Sequence, residues 1–252
     1  MTTQSRFCVL STRRSGSTYL VSLLNSHPAV EAFEELFLMR PAGERLSWVG
    51  KGSPERFYYF RHKTPHPRPL STVQYLNFVH SRGPAHGAVG FKLMVPQARA
   101  LPELLVALPL LRYRIIFLVR SNVFEQCISD YVSRSSRIPH SLETFPVEPI
   151  HVDPVRLIRD MQRIIHVFRI THSLLSVLPV ACWRLQYERL RMDPIEECRH
   201  LFEFLNVDPD VIACSPLKKR VTVPYSTIIE NYAEVSAALA DAGFGSYLLA
   251  DR

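Results

Sequence analysis

The loop that follows the first predicted strand holds residues that could bind phosphate or sulfate. It reads Ser11-Thr-Arg-Arg-Ser-Gly-Ser-Thr18. Small residues let the backbone approach a ligand, and free N–H groups at the start of the next helix favour an anion. In the nucleotide-binding pattern GxxxxGK[ST], Gly16 and Thr18 keep their places, whereas Ser17 replaces the lysine. Arg14 could supply the missing charge with a planar guanidinium suited to phosphate or sulfate oxygens.

A second cation ends a strongly β-prone segment. Residues 115–119 read Ile-Ile-Phe-Leu-Val and are followed by Arg120, and the next predicted helix carries Ser129. In a kinase or GTPase, a comparable strand would end in an aspartate that holds Mg²⁺. An arginine at the carboxyl end of a parallel strand lies where open α/β sheets bind ligands, which favours an anion over a metal. The alternative is that Arg120 only ends a strand and Ser129 is a surface residue.

Three glutamates follow the first predicted helix. Glu31, Glu34 and Glu35 lie in the segment from His27 to Phe37. A carboxylate near an anion site could take the proton of a hydroxyl group during a transfer reaction. The alternative is that these are ordinary glutamates on a solvated turn.

The elements that must position these residues alternate between strand and helix. Such alternation indicates an α/β fold, a three-layer sandwich in which helices flank a mostly parallel sheet. Residues 40–70 show no clear period and are interpreted as an irregular lid that would bind the acceptor. Strands are predicted at 6–10, 88–94, 113–119 and 180–185, and helices at 17–26, 71–81, 97–107, 122–134, 155–168, 194–204 and 226–241.

Length, composition and net charge limit the classes of protein to which the chain can belong. A chain of 252 residues that is 47% hydrophobic can bury one core, so a single domain is expected over residues 1–252. The longest apolar runs are shorter than the roughly 18 residues of a membrane span, and no signal peptide is recognised. Five scattered cysteines favour a reducing compartment. A cytoplasmic location is therefore expected, and the net charge of +7 indicates attraction to anions.

The pattern Thr12-x-Arg-Ser-Gly-Ser-Thr-x-Leu20 resembles the 5′-phosphosulfate loop of sulfotransferases that use 3′-phosphoadenosine-5′-phosphosulfate (PAPS). One departure is Arg13, where many members have proline. In that P-loop-like family, an arginine and a serine resembling Arg120 and Ser129 hold the 3′-phosphate. Their separation of nine residues resembles the bacterial carbohydrate, lipopolysaccharide and nodulation-factor group, whereas the mammalian cytosolic type has one residue fewer. The resemblance therefore implies a carbohydrate or glycolipid acceptor.

The resemblance also implies roles for other residues. Glu35, just before a hydrophobic-Phe pair, matches the proposed catalytic base, with Glu34, a histidine or no base as alternatives. Arg14 is expected to act on the phosphosulfate. Lys92, in a Gly-Phe-Lys segment, is expected to steady the sulfate or the active-site glutamate, with a surface lysine as the alternative. The cofactor-binding residues implied are Arg13, Arg14, Ser15, Gly16, Ser17, Thr18, Tyr19, Arg120, Ser129, Tyr187, Lys218, Lys219 and Arg220.

The expected activity is direct in-line transfer of the sulfuryl group of PAPS without a metal. His62 and His66 have metal-like spacing, but Pro65 lies between them and no further ligands are near in sequence, so zinc is not expected. His27, before Pro28, is interpreted as a turn residue. Three alternatives stay open: a P-loop kinase or NTPase, a non-catalytic protein that binds anions or nucleic acid, and an inactive member of the family. Nucleic acid is not the expected partner, and a homodimer is compatible with the sequence.

Overall fold

A computed structural model describes residues 4–38, 54–63, 66–84, 86–135, 148–217 and 223–251, without the side chains of 249–251. The chain divides into two compact units. The first comprises residues 1–12, 16–119 and 174–215, and the second comprises 13–15, 120–173 and 216–252. The expectation of a single domain over residues 1–252 stays a prediction. The lid expected at 40–70 also stays a prediction, because much of it lies outside the described residues. Its described part contains a helix.

The first unit contains a sheet of five parallel strands. The strands are β1 (Ser5–Ser11), β2 (Val30–Phe33), β3 (Ala88–Met94), β4 (Arg114–Val119) and β5 (Cys182–Gln186). Their order across the sheet is β2-β3-β1-β4-β5, and each neighbouring pair is parallel. The predicted mostly parallel sheet is therefore confirmed. Parallel strands end at the same edge, so β1, β3 and β4 present the residues that follow them on one side.

The helices are numbered along the chain. They are α1 (Ser17–Leu24), α2 (Phe57–Lys63), α3 (Arg68–His80), α4 (Val95–Ala100), α5 (Leu104–Leu110), α6 (Val123–Ser135), α7 (Pro154–Val177), α8 (Tyr187–Met192), α9 (Pro194–Leu205), α10 (Tyr225–Ile228) and α11 (Tyr232–Asp241), with a 3₁₀ helix at Gly245–Asp251. Among the described residues, no helix is long and apolar enough to cross a membrane.

Helices cover both faces of the sheet in the first unit. Side chains alternate between the faces of a strand, so Phe7 and Val9 of β1 face opposite to Cys8 and Leu10. Phe7 and Val9 pack in a buried cluster with α1 and α9. Cys8 and Leu10 line a small apolar cavity with Leu93 of β3 and with residues of α5. This arrangement is the predicted three-layer sandwich.

The second unit is built around α6, α10, α11 and the greater part of α7. Val123, Phe124 and Ile128 of α6 pack with Leu157 and Met161 of α7 in a second buried cluster. This cluster fixes α6, the helix that follows Arg120 and carries Ser129.

Several elements differ from the predicted ones. The helix expected at 97–107 is two helices, because Pro102 lacks an N–H donor and restricts Leu101, whose backbone is not helical. The helix expected at 226–241 is interrupted at Ile229, whose backbone is extended and pairs with Ile150. The sequence did not predict α2 or α8, because six or seven residues are too few to show a helical period, and it did not predict β2, which has only four residues.

Candidate active site

Two of the sequence-predicted anion motifs meet in the second unit. Arg14, at the tip of the loop after β1, has a left-handed backbone with φ 59°. Its Nε donates a hydrogen bond to Oγ of Ser129 over 3.1 Å, and the guanidinium of Arg120 donates to the carbonyl oxygen of Arg14 over 3.3 Å. We call Arg14, Arg120 and Ser129 the arginine cluster. Guanidinium and hydroxyl groups are the donors that phosphate and sulfate oxygens accept from.

Further α6 residues hold the loop, and the sequence reasoning did not identify them. Gln126, which is buried, donates from Nε2 to the carbonyl oxygen of Arg13 over 2.6 Å. Asp130 lies 3.5 Å from the guanidinium of Arg13, and Glu125 forms an ion pair with Arg120. The available signal was the four-residue spacing of Gln126 and Asp130, which places both side chains on one face of α6.

The start of α1 lies in the first unit and requires glycine. Gly16 precedes the helix with φ 87°, a left-handed conformation that other residues rarely adopt. A Cβ atom at this position would lie 2.2 Å from the ring of Tyr187, the first residue of α8. Ser17 and Thr18, in the first turn of α1, are both buried. The left-handed backbone and the closeness of the Tyr187 ring therefore both require glycine at position 16.

A buried lysine contacts two carboxylates at the carboxyl end of β2. Lys92 of β3 is only 4% exposed, so the surface-lysine alternative is wrong. Its Nζ forms an ion pair with Glu34, lies 3.4 Å from Oε1 of Glu35, and donates to Oγ1 of Thr18 over 3.2 Å. We call Lys92, Glu34, Glu35 and Thr18 the carboxylate cluster. The positive charge offsets the burial of two negative ones and links them to the first turn of α1.

Gln97 orients one of these carboxylates and was also missed by the sequence reasoning. Its Nε2 donates to Oε2 of Glu35 over 2.7 Å, while its Oε1 accepts from the backbone N–H of Met94. The second hydrogen bond fixes which end of the amide faces Glu35. The Glu35 side chain is 25% exposed, whereas that of Glu34 is 11% exposed. A substrate can therefore reach Glu35 more easily than Glu34.

The other candidates have different surroundings. His27 accepts from the N–H of Ala29 at Nδ1 and contacts the carbonyl oxygen of Asp208 at Nε2, so it is a turn residue. Burial raises the pKa of Glu31 and of Tyr19.

The cofactor-binding candidates Lys218, Lys219 and Arg220 lie outside the described residues. Ser15 is buried. Among the described residues, including His62 and His66, no group of three or more His, Cys, Asp and Glu could hold a metal.

Comparison with known proteins identifies a family through one family model. A family model described as the sulfotransferase family matches residues 7–210, while a search of the curated proteins finds no match. A sulfotransferase structure from Alicyclobacillus acidocaldarius is 15% identical over 97% of this chain and 95% of its own, with a TM-score of 0.54, which shows a shared fold. The sulfotransferase domain of the Synechococcus PCC 7002 olefin synthase is 18% identical over 96% and 88%, with a TM-score of 0.43. Mouse sulfotransferase SULT7A1, complexed with PAP, is 12% identical over 98% and 84%, with a TM-score of 0.46.

Proposed function

The chain belongs to the sulfotransferase family, and from this premise we propose that it transfers the sulfuryl group of PAPS to a hydroxyl of a carbohydrate or glycolipid acceptor in the cytoplasm. The arginine cluster is the observation that carries the proposal. Arg14 comes from the first predicted phosphate motif, and Arg120 and Ser129 come from the second, yet all three are in contact. A cluster of this composition suits an anionic cofactor and does not provide a magnesium ligand of the kinase type.

The residues of the chain fit PAPS in their donor chemistry. Arg120 and Ser129 would hold the 3′-phosphate, and residues 14–18 would hold the phosphosulfate with cationic, hydroxyl and backbone N–H donors. When bound, PAPS supplies an activated sulfuryl group. Tyr187 lies so close to Gly16 that a Cβ atom at this position would collide with its ring, so the loop before α1 needs glycine here.

Glu35 is the proposed base. Its partial exposure allows an acceptor hydroxyl to approach, and the hydrogen bond from Gln97 holds the carboxylate in one orientation. Lys92 places a positive charge beside both carboxylates, and its contact with Thr18 links them to the first turn of α1. Glu34 instead serves as the buried partner of Lys92. Proton removal by a positioned carboxylate typically contributes about 10²- to 10⁴-fold in rate.

The acceptor class is proposed from the spacing of Arg120 and Ser129, which resembles that of carbohydrate sulfotransferases. Its test is an activity screen with PAPS against sugars, glycolipids, phenols and sterols. Sulfation of sugar or glycolipid hydroxyls in preference to phenols and sterols is expected. Preference for a phenol or sterol would overturn the acceptor class and leave the transferase activity standing.

The cofactor is tested by calorimetric titration with adenosine 3′,5′-bisphosphate, the desulfonated product, in EDTA. Micromolar binding without a metal is expected. ATP with Mg²⁺ is titrated in parallel, and binding of ATP with Mg²⁺ without binding of the bisphosphate would establish the kinase alternative instead.

The site is tested by a variant that keeps the local charge balanced. Arg120→Met alone would leave its partner Glu125 without a counter-charge, so the useful variant is Arg120→Met with Glu125→Gln. We expect this pair to fold and to lose bisphosphate binding. Arg199→Met, an exposed arginine on α9, serves as the control and should bind like the original protein. Equal binding by both variants would refute the assignment of Arg120.

A further inference from the structure

Helix α7 has one face packed in the protein and another that is basic and open. Leu157 and Met161 are buried in the second unit, and Phe168 packs against the same cluster. The opposite side carries side chains that are exposed to solvent. We call this side the basic face, which consists of Arg156, Arg159, Arg163, His166 and Arg169.

Within α7 itself, little negative charge opposes the basic face. Asp160 is the one acidic residue in α7, and its side chain is only 25% exposed. Its Oδ2 accepts a hydrogen bond from the hydroxyl of Tyr131 over 2.8 Å. Arg156 and Arg163 approach this carboxylate at 3.9 and 3.7 Å, although both are more than half exposed. The helix therefore presents an excess of positive charge to the solvent.

Exposed aliphatic side chains accompany the arginines. Val155 is 65% exposed and Ile170 is 54% exposed. With Arg159, Arg163 and His166 they recur at intervals of three and four residues, so all five follow one line along the helix. Cations attract anionic headgroups, and aliphatic groups gain free energy when they enter the interface between headgroups and acyl chains. A phosphate backbone of nucleic acid would satisfy the arginines but offers no apolar surface to the aliphatic residues.

We infer that the basic face of α7 docks on an anionic lipid surface. This inference goes beyond the proposed function and does not depend on it, because it concerns where the protein sits and not what it transfers. The combination of exposed arginines with aliphatic side chains on one line of the helix carries the inference.

The experiment is sedimentation of the purified full chain with vesicles at 0.15 M salt. One set of vesicles is pure phosphatidylcholine, and the other contains phosphatidylglycerol as the anionic lipid. The protein is expected to sediment with the anionic vesicles only. Each basic residue near a charged bilayer contributes about 1 kcal/mol to the free energy of membrane binding. The double variant Arg159→Glu with Arg163→Glu should therefore bind the anionic vesicles at least about 30-fold more weakly.

A matched control separates position from net charge. Arg99→Glu with Arg199→Glu changes exposed arginines on α4 and α9 by the same number of charges and should bind like the original protein. Val155→Ser with Ile170→Ser should weaken binding about 10-fold through lost apolar insertion. The inference is overturned if the original protein does not sediment with anionic vesicles, if both charge variants lose binding equally, or if single-stranded RNA binds as tightly as the vesicles.

Discussion

Replacement of Lys92 by methionine should destabilise the protein far more than an ordinary lysine substitution. Methionine matches the length of the side chain, so the change removes the charge and leaves the volume nearly intact. Glu34 and Glu35 then lose their shared cation while they stay largely within the protein. One oxygen of Glu34 already has no hydrogen-bond partner among the described residues. Removing one partner of a buried ion pair costs about 3–5 kcal/mol.

Lys63 provides the comparison for the same substitution. It pairs with Glu55 over 2.6 Å, but its side chain is 70% exposed, so its loss should cost no more than about 1 kcal/mol. The free energy of unfolding from urea titration, followed by circular dichroism, measures both variants. The melting temperature of the Lys92→Met variant should fall by about 10 °C.

A second substitution identifies the cause of the loss. Adding Glu34→Gln to Lys92→Met removes the unpaired carboxylate and should restore about 2 kcal/mol, a coupling typical of residues in direct contact. Sulfuryl transfer should stay low in the double variant, because the positive charge of Lys92 beside Glu35 is still missing. The reasoning is refuted if Lys92→Met costs no more than Lys63→Met, or if the second substitution restores nothing.

Three further outcomes are expected. Gly16→Ala should lower the free energy of unfolding by about 1–2 kcal/mol, because alanine is strained in the left-handed backbone, and the new methyl group should push Tyr187 aside. Both the melting temperature and the affinity for the bisphosphate should therefore fall. Unchanged affinity would contradict a role for this loop in binding. Gln97→Leu should lower kcat about 10-fold at unchanged KM for PAPS, since it removes a hydrogen bond to Glu35, the proposed base, and no proposed ligand contact. An equal effect on both constants would refute this role. Native thiol labelling at pH 8 should modify only the exposed Cys182 and Cys214. The other three cysteines are buried, and burial raises the pKa of Cys8 and raises the pKa of Cys127 and Cys198 to about 12. Labelling of a third cysteine before unfolding would contradict the described core.

The sequence alone was sufficient for four of the five strands of the sheet, all except β2, and for the local pattern of the loop before α1. Residues 88–94 and 113–119 are β-prone runs, and the observed β3 and β4 match them closely. The loop before α1 combines Gly16 with small polar residues, a local pattern that needs no long-range information. Strong local preference and short-range spacing are properties of the chain itself, so they can be interpreted without the fold.

Only the tertiary structure decided which residues meet. The partners of Lys92 are Thr18, Glu34 and Glu35, which lie on other segments of the chain, and the contact of Arg14 with Ser129 spans 115 residues. Burial distinguishes Glu34 from the more exposed Glu35, although the two are adjacent in sequence. No local pattern encodes these pairs, because each joins residues of different elements that come into contact only when those elements pack together within a folded unit.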